Sequence, residues 1–560
     1  MSYNIYTFFI FYFIIIFSVV GYGLFISNIV NLLDIRKNFG YSGLLGLFFL
    51  TIYSYISNFF LPHNLVHNTI LVLIGIFFYL YFLRKKIFKI KETLLFVLIF
   101  LLLFISILMF KTHDDFPYYH FAYSYYLTQN SSIIGIGPFN HGFRTPSSIF
   151  YLNSLFYLPV VKYFMFHMPA LLILGFSNII FLKKILKNIK FKSINFITFF
   201  CLLSFLFVNI FFYRIAEHGT DRSAQILVFI LLIEIMILIN FKINNHIQLT
   251  KIYILVSLII SFKVFYLMYL AFFIPLIFFY YQKDNFLNIF KIIQNQFFIY
   301  FVILILLVVA TNFFNSGCLL YPASITCFEN LPWAFDLNLV VQMNDWYEQW
   351  SKAGAGPNFR IEDPQEYIRY LNWVPNWLEM YFFNKVSDLL GGILLLCIIV
   401  FLIFNSKIKT KNKHYKISFI YFILLILFIE WFYNHPSLRY GGYCLIASII
   451  FLPISILLEK NLNLNDKNLK NKFLFLILCG IIIFIGRNLK RINEEYKIYE
   501  YKPLKETFYN IEERYFSTQK EFNKLINNFN LCETKKNECS AELEPKTIKL
   551  YGKYIFINNQ

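Results

Sequence analysis

Fourteen apolar runs separated by short polar links leave this chain few folds to adopt. They fall near residues 5–27, 42–61, 66–83, 93–110, 166–182, 194–213 and 223–241, then as a tight pair at 252–262 and 264–281, and then near 297–314, 386–405, 417–433, 442–458 and 472–486. Apolar runs of about 18 residues or more read as membrane-spanning helices, because in hydrocarbon each backbone polar group must be satisfied within its own segment. A composition of 58% hydrophobic and only 14% charged residues over 560 positions excludes an ordinary soluble domain. The predicted fold class is therefore an all-α polytopic membrane protein, with about 12–14 transmembrane helices, extracytoplasmic loops and interfacial helices. The formal net charge of +19 does not call for a nucleic-acid partner, because the basic residues cluster between apolar runs as the positive-inside rule requires. Met1 to Asn4 lacks a basic n-region, so no cleavable signal peptide is expected.

Orientation follows from the basic links. Arg84, Lys85, Lys86, Lys89 and Lys91 mark one cytoplasmic loop, Lys183, Lys184, Lys187, Lys190 and Lys192 a second, and Lys407, Lys409, Lys411 and Lys413 a third. Alternation then puts the N-terminus outside, together with 111–165, 214–222, 315–385, 434–441 and the tail from 487. All six tryptophans fall in or beside those outer segments, where indole favours the interface. Cys201, Cys397, Cys444 and Cys479 lie in apolar helices as small hydrophobes. Cys318 and Cys327 share an outer loop and Cys532 and Cys539 share the outer tail, which makes them disulfide candidates in an oxidising compartment.

Five regions follow: 1–92 as N-terminal extra helices, 93–314 as the membrane core with its acidic outer loop 111–165, 315–385 as a large extracytoplasmic loop, 386–486 as C-terminal helices and 487–560 as an extracytoplasmic tail. Within the large loop, Gly354-Ala-Gly356-Pro357 reads as a flexible break, and Pro364–Asn384 as one amphipathic helix lying on the membrane. The tail reads either as a small appended domain, with Leu531–Cys539 as a stapled turn, or as a helix with a loosely ordered end. The run Phe473–Gly486 spans only about 21 Å at 1.5 Å per residue. Lys263 sits either at the tip of a short hairpin or inside one long helix, and is a functional candidate or a snorkelling side chain accordingly.

Four polar clusters project to the outer side. The first holds His113, Asp114, Asp115 and His120, the second His141, Arg144 and Thr145, and the third Arg214, Glu217, His218, Asp221 and Arg222. The fourth runs from Tyr433 to Gly442 and includes His435, Arg439 and Tyr440. The bland reading of Asp114-Asp115 is a helix cap for Tyr118–Gln129. The chemical reading is group transfer from a lipid phosphate: a carboxylate takes the proton of an acceptor hydroxyl, and cations stabilise the departing phosphate. Arg144, Arg214, Arg222, Arg439 and Lys263 are the available cations. No cofactor is certain from these residues; a divalent cation, Mg or Mn, held by Asp114, Asp115 or Asp221 would do part of the same work. Neither zinc spacing, a phosphate loop nor a nucleophile elbow is present.

An acidic pair just after an early helix, a loop through Asn140, His141, Gly142, Phe143, Arg144, Thr145 and Pro146, Asp221 at the start of a later helix and a late Arg439-Tyr440 together resemble the C-type membrane glycosyltransferases (the GT-C superfamily). The likeness covers roughly residues 93–458 and is greatest for a bacterial subgroup with this loop pattern. It implies a bacterial cytoplasmic (inner) membrane enzyme, active on the extracytoplasmic face. A polyprenyl-phosphate-linked sugar would be the donor, and a lipid, glycan or protein the acceptor. By that resemblance Asp114 or Asp115 is the base, while Arg144, Lys263, Arg439 and Tyr440 hold donor phosphate. His113, Glu217, His218 and Asp221 would support the site or bind metal. The three extra N-terminal helices and the mid-chain position of the large loop depart from the family pattern and bear on the acceptor. A transporter or flippase would instead place charges deep in repeat-related helices; only Glu234, Glu430 and Lys263 qualify, and no repeat is visible. A polymerase or ligase of lipid-linked glycans shares the chemistry, and a scaffold is the non-catalytic alternative.

Overall fold

The computed structural model describes residues 5–215, 219–241, 245–284, 290–354, 363–406, 416–464, 466–535 and 546–557. Glu217, His218, the 355–362 break, Lys407, Lys409, Lys411, Lys413 and Cys539 lie outside the described residues. Each of the fourteen apolar runs forms a helix. Among the described residues, eleven helices are long and apolar enough to cross a membrane. The helices Phe196–Phe211, Ser418–Asn434 and Ile90–Leu103 are shorter and complete the set. The protein is an all-α polytopic membrane protein. A two-stranded hairpin, Thr547–Leu550 with Lys553–Phe556, is added in the tail.

Two sets of loop contacts define the ends of the bundle. At one end, His63 N–H donates to Leu127 O (2.9 Å), Asn510 N–H to Phe110 O (2.9 Å) and Phe556 N–H to Ile134 O (2.9 Å), while Tyr347 meets His141 (2.8 Å). Phe8, near the chain's start, packs edge-on against Phe508 of the tail. At the other end, Lys183 donates to Lys37 O (2.6 Å) and pairs with Glu92 (3.0 Å), and Phe196 N–H donates to Glu459 (2.9 Å). These are the groupings that alternation predicts. Close helix packing drives the N-terminal part: a Cβ on Gly21 would sit 1.9 Å from Gly75 O, so only glycine permits that crossing.

Two expectations are corrected. Pro364–Asn384 is not one surface helix. Asp363 caps Pro364–Ile368, the chain breaks at Tyr370 with φ 53°, and Val374–Trp377 continues through wider turns at Leu378–Val386 into Ser387–Phe404. Three of the six indoles lie within the protein: Trp373, Trp377 and Trp431 are 0%, 3% and 1% exposed. The last helix does not end at Gly486 but runs from Leu469 to Tyr499, 31 residues. At 1.5 Å per residue that is about 46 Å, so the boundary drawn at 486, where the apolar stretch ends, falls mid-helix. Lys263 takes the hairpin alternative, with extended backbone (φ −159°, ψ 121°) between the helix Asn245–Phe262 and the 3-10 turns Val264–Phe272.

Of the cysteines, Cys201, Cys397, Cys444 and Cys479 are free, and Cys318 and Cys327 form a disulfide. Near the second set of loops, Glu234 is fully buried and bound by side chains from three other helices. Tyr41 donates to it, Lys184 lies 2.8 Å away and Lys251 3.6 Å, and both ammonium groups sit over the Tyr41 ring. The intramembrane acid is thus an internal cross-brace.

Candidate functional site

The acidic loop follows Ile90–Leu103 and turns back into the bundle end at Phe116–His120. Asp115 occupies the capping position of that turn, yet its side chain makes no capping hydrogen bond. Its carboxylate instead accepts from Arg439 Nη2 at 2.9 Å. Asp114 is exposed. Adjacent residues on a turn face different ways, so one of the pair is committed and the other solvated.

Arg439 bridges two acids: its Nε donates to Asp221 Oδ2 at 3.0 Å, and Lys263 pairs with Asp221 Oδ1. Two carboxylates and two cations, drawn from four segments, therefore alternate in one network. Lys263 also lies 4.3 Å above the Tyr440 ring, and Arg439 5.5 Å from the Trp350 ring. His113 Nδ1 lies 3.6 Å from Asp115 Oδ2 and accepts the Asp115 N–H.

The Arg439 loop is clamped from below. Trp377 Nε1 donates to Pro436 O and Trp431 Nε1 to Ser437 O, each at 2.9 Å. The Leu438 N–H donates to Tyr381 Oη (2.9 Å), and Gln225 Nε2 donates to the carbonyls of Leu438 and Arg439. Gly441, at φ 101°, lets the chain reverse immediately into Gly442–Lys460. Buried indoles that looked like interfacial anchors thus fix the position of a guanidinium.

Arg144 stands on the loop side of the network, donating to Tyr321 Oη at 2.8 Å with its guanidinium 4.7 Å from the Phe335 ring. The Cys318–Cys327 disulfide closes the segment that carries Tyr321. A small cavity lined by Phe116, His120, Asn153, Gly219 and Thr220 adjoins the network through the chain neighbours of Asp115 and Asp221. His120 belonged to the first polar cluster read from the sequence, without a role of its own. Asn153, Trp350, Tyr381 and Gln225 were not predicted site residues, and they sit in aromatic or apolar surroundings like dozens elsewhere in the chain.

Electrostatics settle protonation. Burial would raise the Asp115 carboxyl, but the charge and hydrogen bond of Arg439 hold the group below its ordinary value. Burial pushes His120 down to about 4, and burial with Arg144 does the same for His141. His435, buried and near Lys352 and Lys263, also stands at about 4. These histidines are neutral in the fold but charged below about pH 6.5 in an unfolded chain. Stability should therefore decline as pH falls from about 6.5 toward 4, and thermal melts across that range check it.

The carboxylates fit a metal poorly. Asp115 and Asp221 are already bonded to Arg439, and Asp221 also to Lys263, so a divalent ion would have to displace the cations that do its electrostatic work. Among the described residues no group of three or more His, Cys, Asp or Glu side chains is placed to hold a metal ion.

Over residues 5–446 the chain matches the family described as a domain of unknown function (DUF8201). The chain belongs to that family. Neither a curated protein nor a solved structure matches it. The DUF8201 match takes in Asp115, Asp221, Lys263 and Arg439 and stops short of the helix Leu469–Tyr499.

Proposed function

We propose that this protein is an integral-membrane glycosyltransferase. It moves a sugar from a polyprenyl-phosphate-linked donor to a hydroxyl on a lipid, glycan or protein, at the extracytoplasmic face of the bacterial cytoplasmic membrane. The observation that carries this reading is the alternating Asp115–Arg439–Asp221–Lys263 network at one end of the bundle.

Asp115, kept ionised, accepts the acceptor's proton as that oxygen attacks the sugar's anomeric carbon. The bond from that carbon to the phosphate oxygen breaks, and its electron pair leaves with the phosphate. Arg439 presents a planar fork and Lys263 a point charge to the negative charge developing there. Asp221 keeps both cations aimed while the phosphate is absent. Tyr440 and Trp350 offer ring faces beside the cations, apolar surface suited to a sugar or the first isoprene unit. The Cys318–Cys327 disulfide at the same end supports an oxidising, extracytoplasmic setting. On intact cells, a membrane-impermeant maleimide is expected to label these two cysteines only after reduction. Labelling only in broken cells would reverse the orientation, and labelling of intact cells without reduction would show that the two thiols are not bridged.

The decisive experiment compares cells lacking the gene with cells complemented by wild type or Asp115→Asn, at equal membrane abundance. Mass spectrometry of surface glycans and lipid-linked sugars should show one sugar lost and its lipid donor accumulated, rescued by wild type alone. Full rescue by the variant would overturn the reading.

A further inference from the structure

The helix Leu469–Tyr499 continues beyond its apolar stretch, and its upper half walls a second cavity of about 260 Å³. Lys111, Arg214, Arg487, Lys490 and Arg491 line it, against Glu494 and Glu495, leaving an excess of three positive charges. One of the two acids, Glu495, is committed within the fold. Glu495 accepts the Phe110 N–H (3.2 Å) and lies 3.5 Å from Arg491, and Glu494 lies 3.9 Å from Lys490. Both partners of that second pair are well exposed, so it contributes little.

The guanidinium groups are held in place. Arg487 donates to Ile210 O at 2.7 Å and stacks 4.0 Å from the Tyr213 ring; Arg491 donates to Leu108 O at 2.7 Å. Lys111 and Lys490 are exposed at the opening. Fixed guanidinium forks with exposed ammonium groups around one cavity are the chemistry of phosphate recognition. The position adds a second requirement. Ile483 lies one turn below Arg487 and two below Lys490 on the same flank, and is 40% exposed within the apolar stretch of the helix. Gly486 beside it has open space around it. The cations therefore stand directly above bare apolar helix, which suits an anionic head joined to a hydrocarbon chain.

We propose that this cavity binds the phosphate head of an anionic membrane lipid, with an acyl chain lying along Ile483. No residue of the Asp115 network lines it, so the site stands independently of the sugar-transfer reading. Lys111 and Arg214 belong to the segments that carry Asp115 and Asp221, so an occupied cavity would brace both.

The test uses the purified full-length protein in mixed micelles of equimolar dioleoyl phosphatidylglycerol and dioleoyl phosphatidylcholine, with retained lipid read by native mass spectrometry. Phosphatidylglycerol should be enriched roughly tenfold. Lys111→Gln/Lys490→Gln removes two exposed charges and leaves the Arg487 and Arg491 anchors intact. It should abolish most of that enrichment at unchanged melting temperature. Equal retention of the two lipids, or unchanged enrichment in the variant, overturns the proposal. A parallel arm offers inorganic phosphate alone in neutral detergent. Thermal stabilisation there that the double variant loses, without phosphatidylglycerol enrichment, would assign the cavity to free phosphate and equally overturn it.

Discussion

Asp115→Asn is expected to lower sugar transfer by roughly 10²–10⁴-fold, the usual contribution of a positioned general base. The substitution keeps the side chain's shape and leaves an amide oxygen to accept from Arg439, now 2.9 Å from the carboxylate. It removes only the charge and the ability to take a proton. The loss should therefore fall on kcat, with KM for the lipid-linked donor little changed. Asp114→Asn is the matched control, because that neighbour is exposed and lies outside the network; it should retain near wild-type turnover. Equal losses from the two variants would show that the loop, and not Asp115, is required. Arg439→Lys sharpens the result: it keeps the charge but cannot bridge Asp115 and Asp221 at once, so turnover should fall even with Asp115 intact.

The second large effect is on stability. Glu234→Gln leaves Lys184 and Lys251 over the Tyr41 ring with no carboxylate between them, six residues inside the helix end at Asn240. At 1.5 Å per residue that is about 9 Å from the helix end. Removing one partner of a buried ion group costs about 3–5 kcal/mol, because the remaining charges stay desolvated. A markedly lower melting temperature in detergent, with less protein reaching the membrane, is the expected reading. Replacing the whole cluster together, as Glu234→Leu/Lys184→Met/Lys251→Met/Tyr41→Phe, should recover most of the loss, since matched apolar side chains carry no such penalty. A destabilised quadruple variant would mean the charges do more than brace four helices.

Much of the architecture was legible because it rests on local properties. All fourteen apolar runs became helices, and the basic links sorted their ends into the two groups of loop contacts seen in the fold. The hairpin at Lys263 was legible as one of two alternatives. The failures share a cause. Pro364–Asn384 has the composition of an interfacial helix, but Tyr370 at φ 53° and the burial of Trp373 and Trp377 under the Arg439 loop break it. The 486 boundary failed because hydropathy ends there while backbone hydrogen bonding continues to Tyr499.

The sequence by itself determined the membrane class, the helices and which polar clusters share an end, because hydropathy and charge asymmetry are carried by each segment alone. Only the tertiary structure decided that Asp115 and not Asp114 meets Arg439, a partner 324 residues away, and that Asp221 and Lys263 complete the network. It also decided that Trp377, Trp431 and Gln225 hold the Arg439 loop. Those choices depend on how distant helices stack, and no property of either segment in isolation encodes the distance between them.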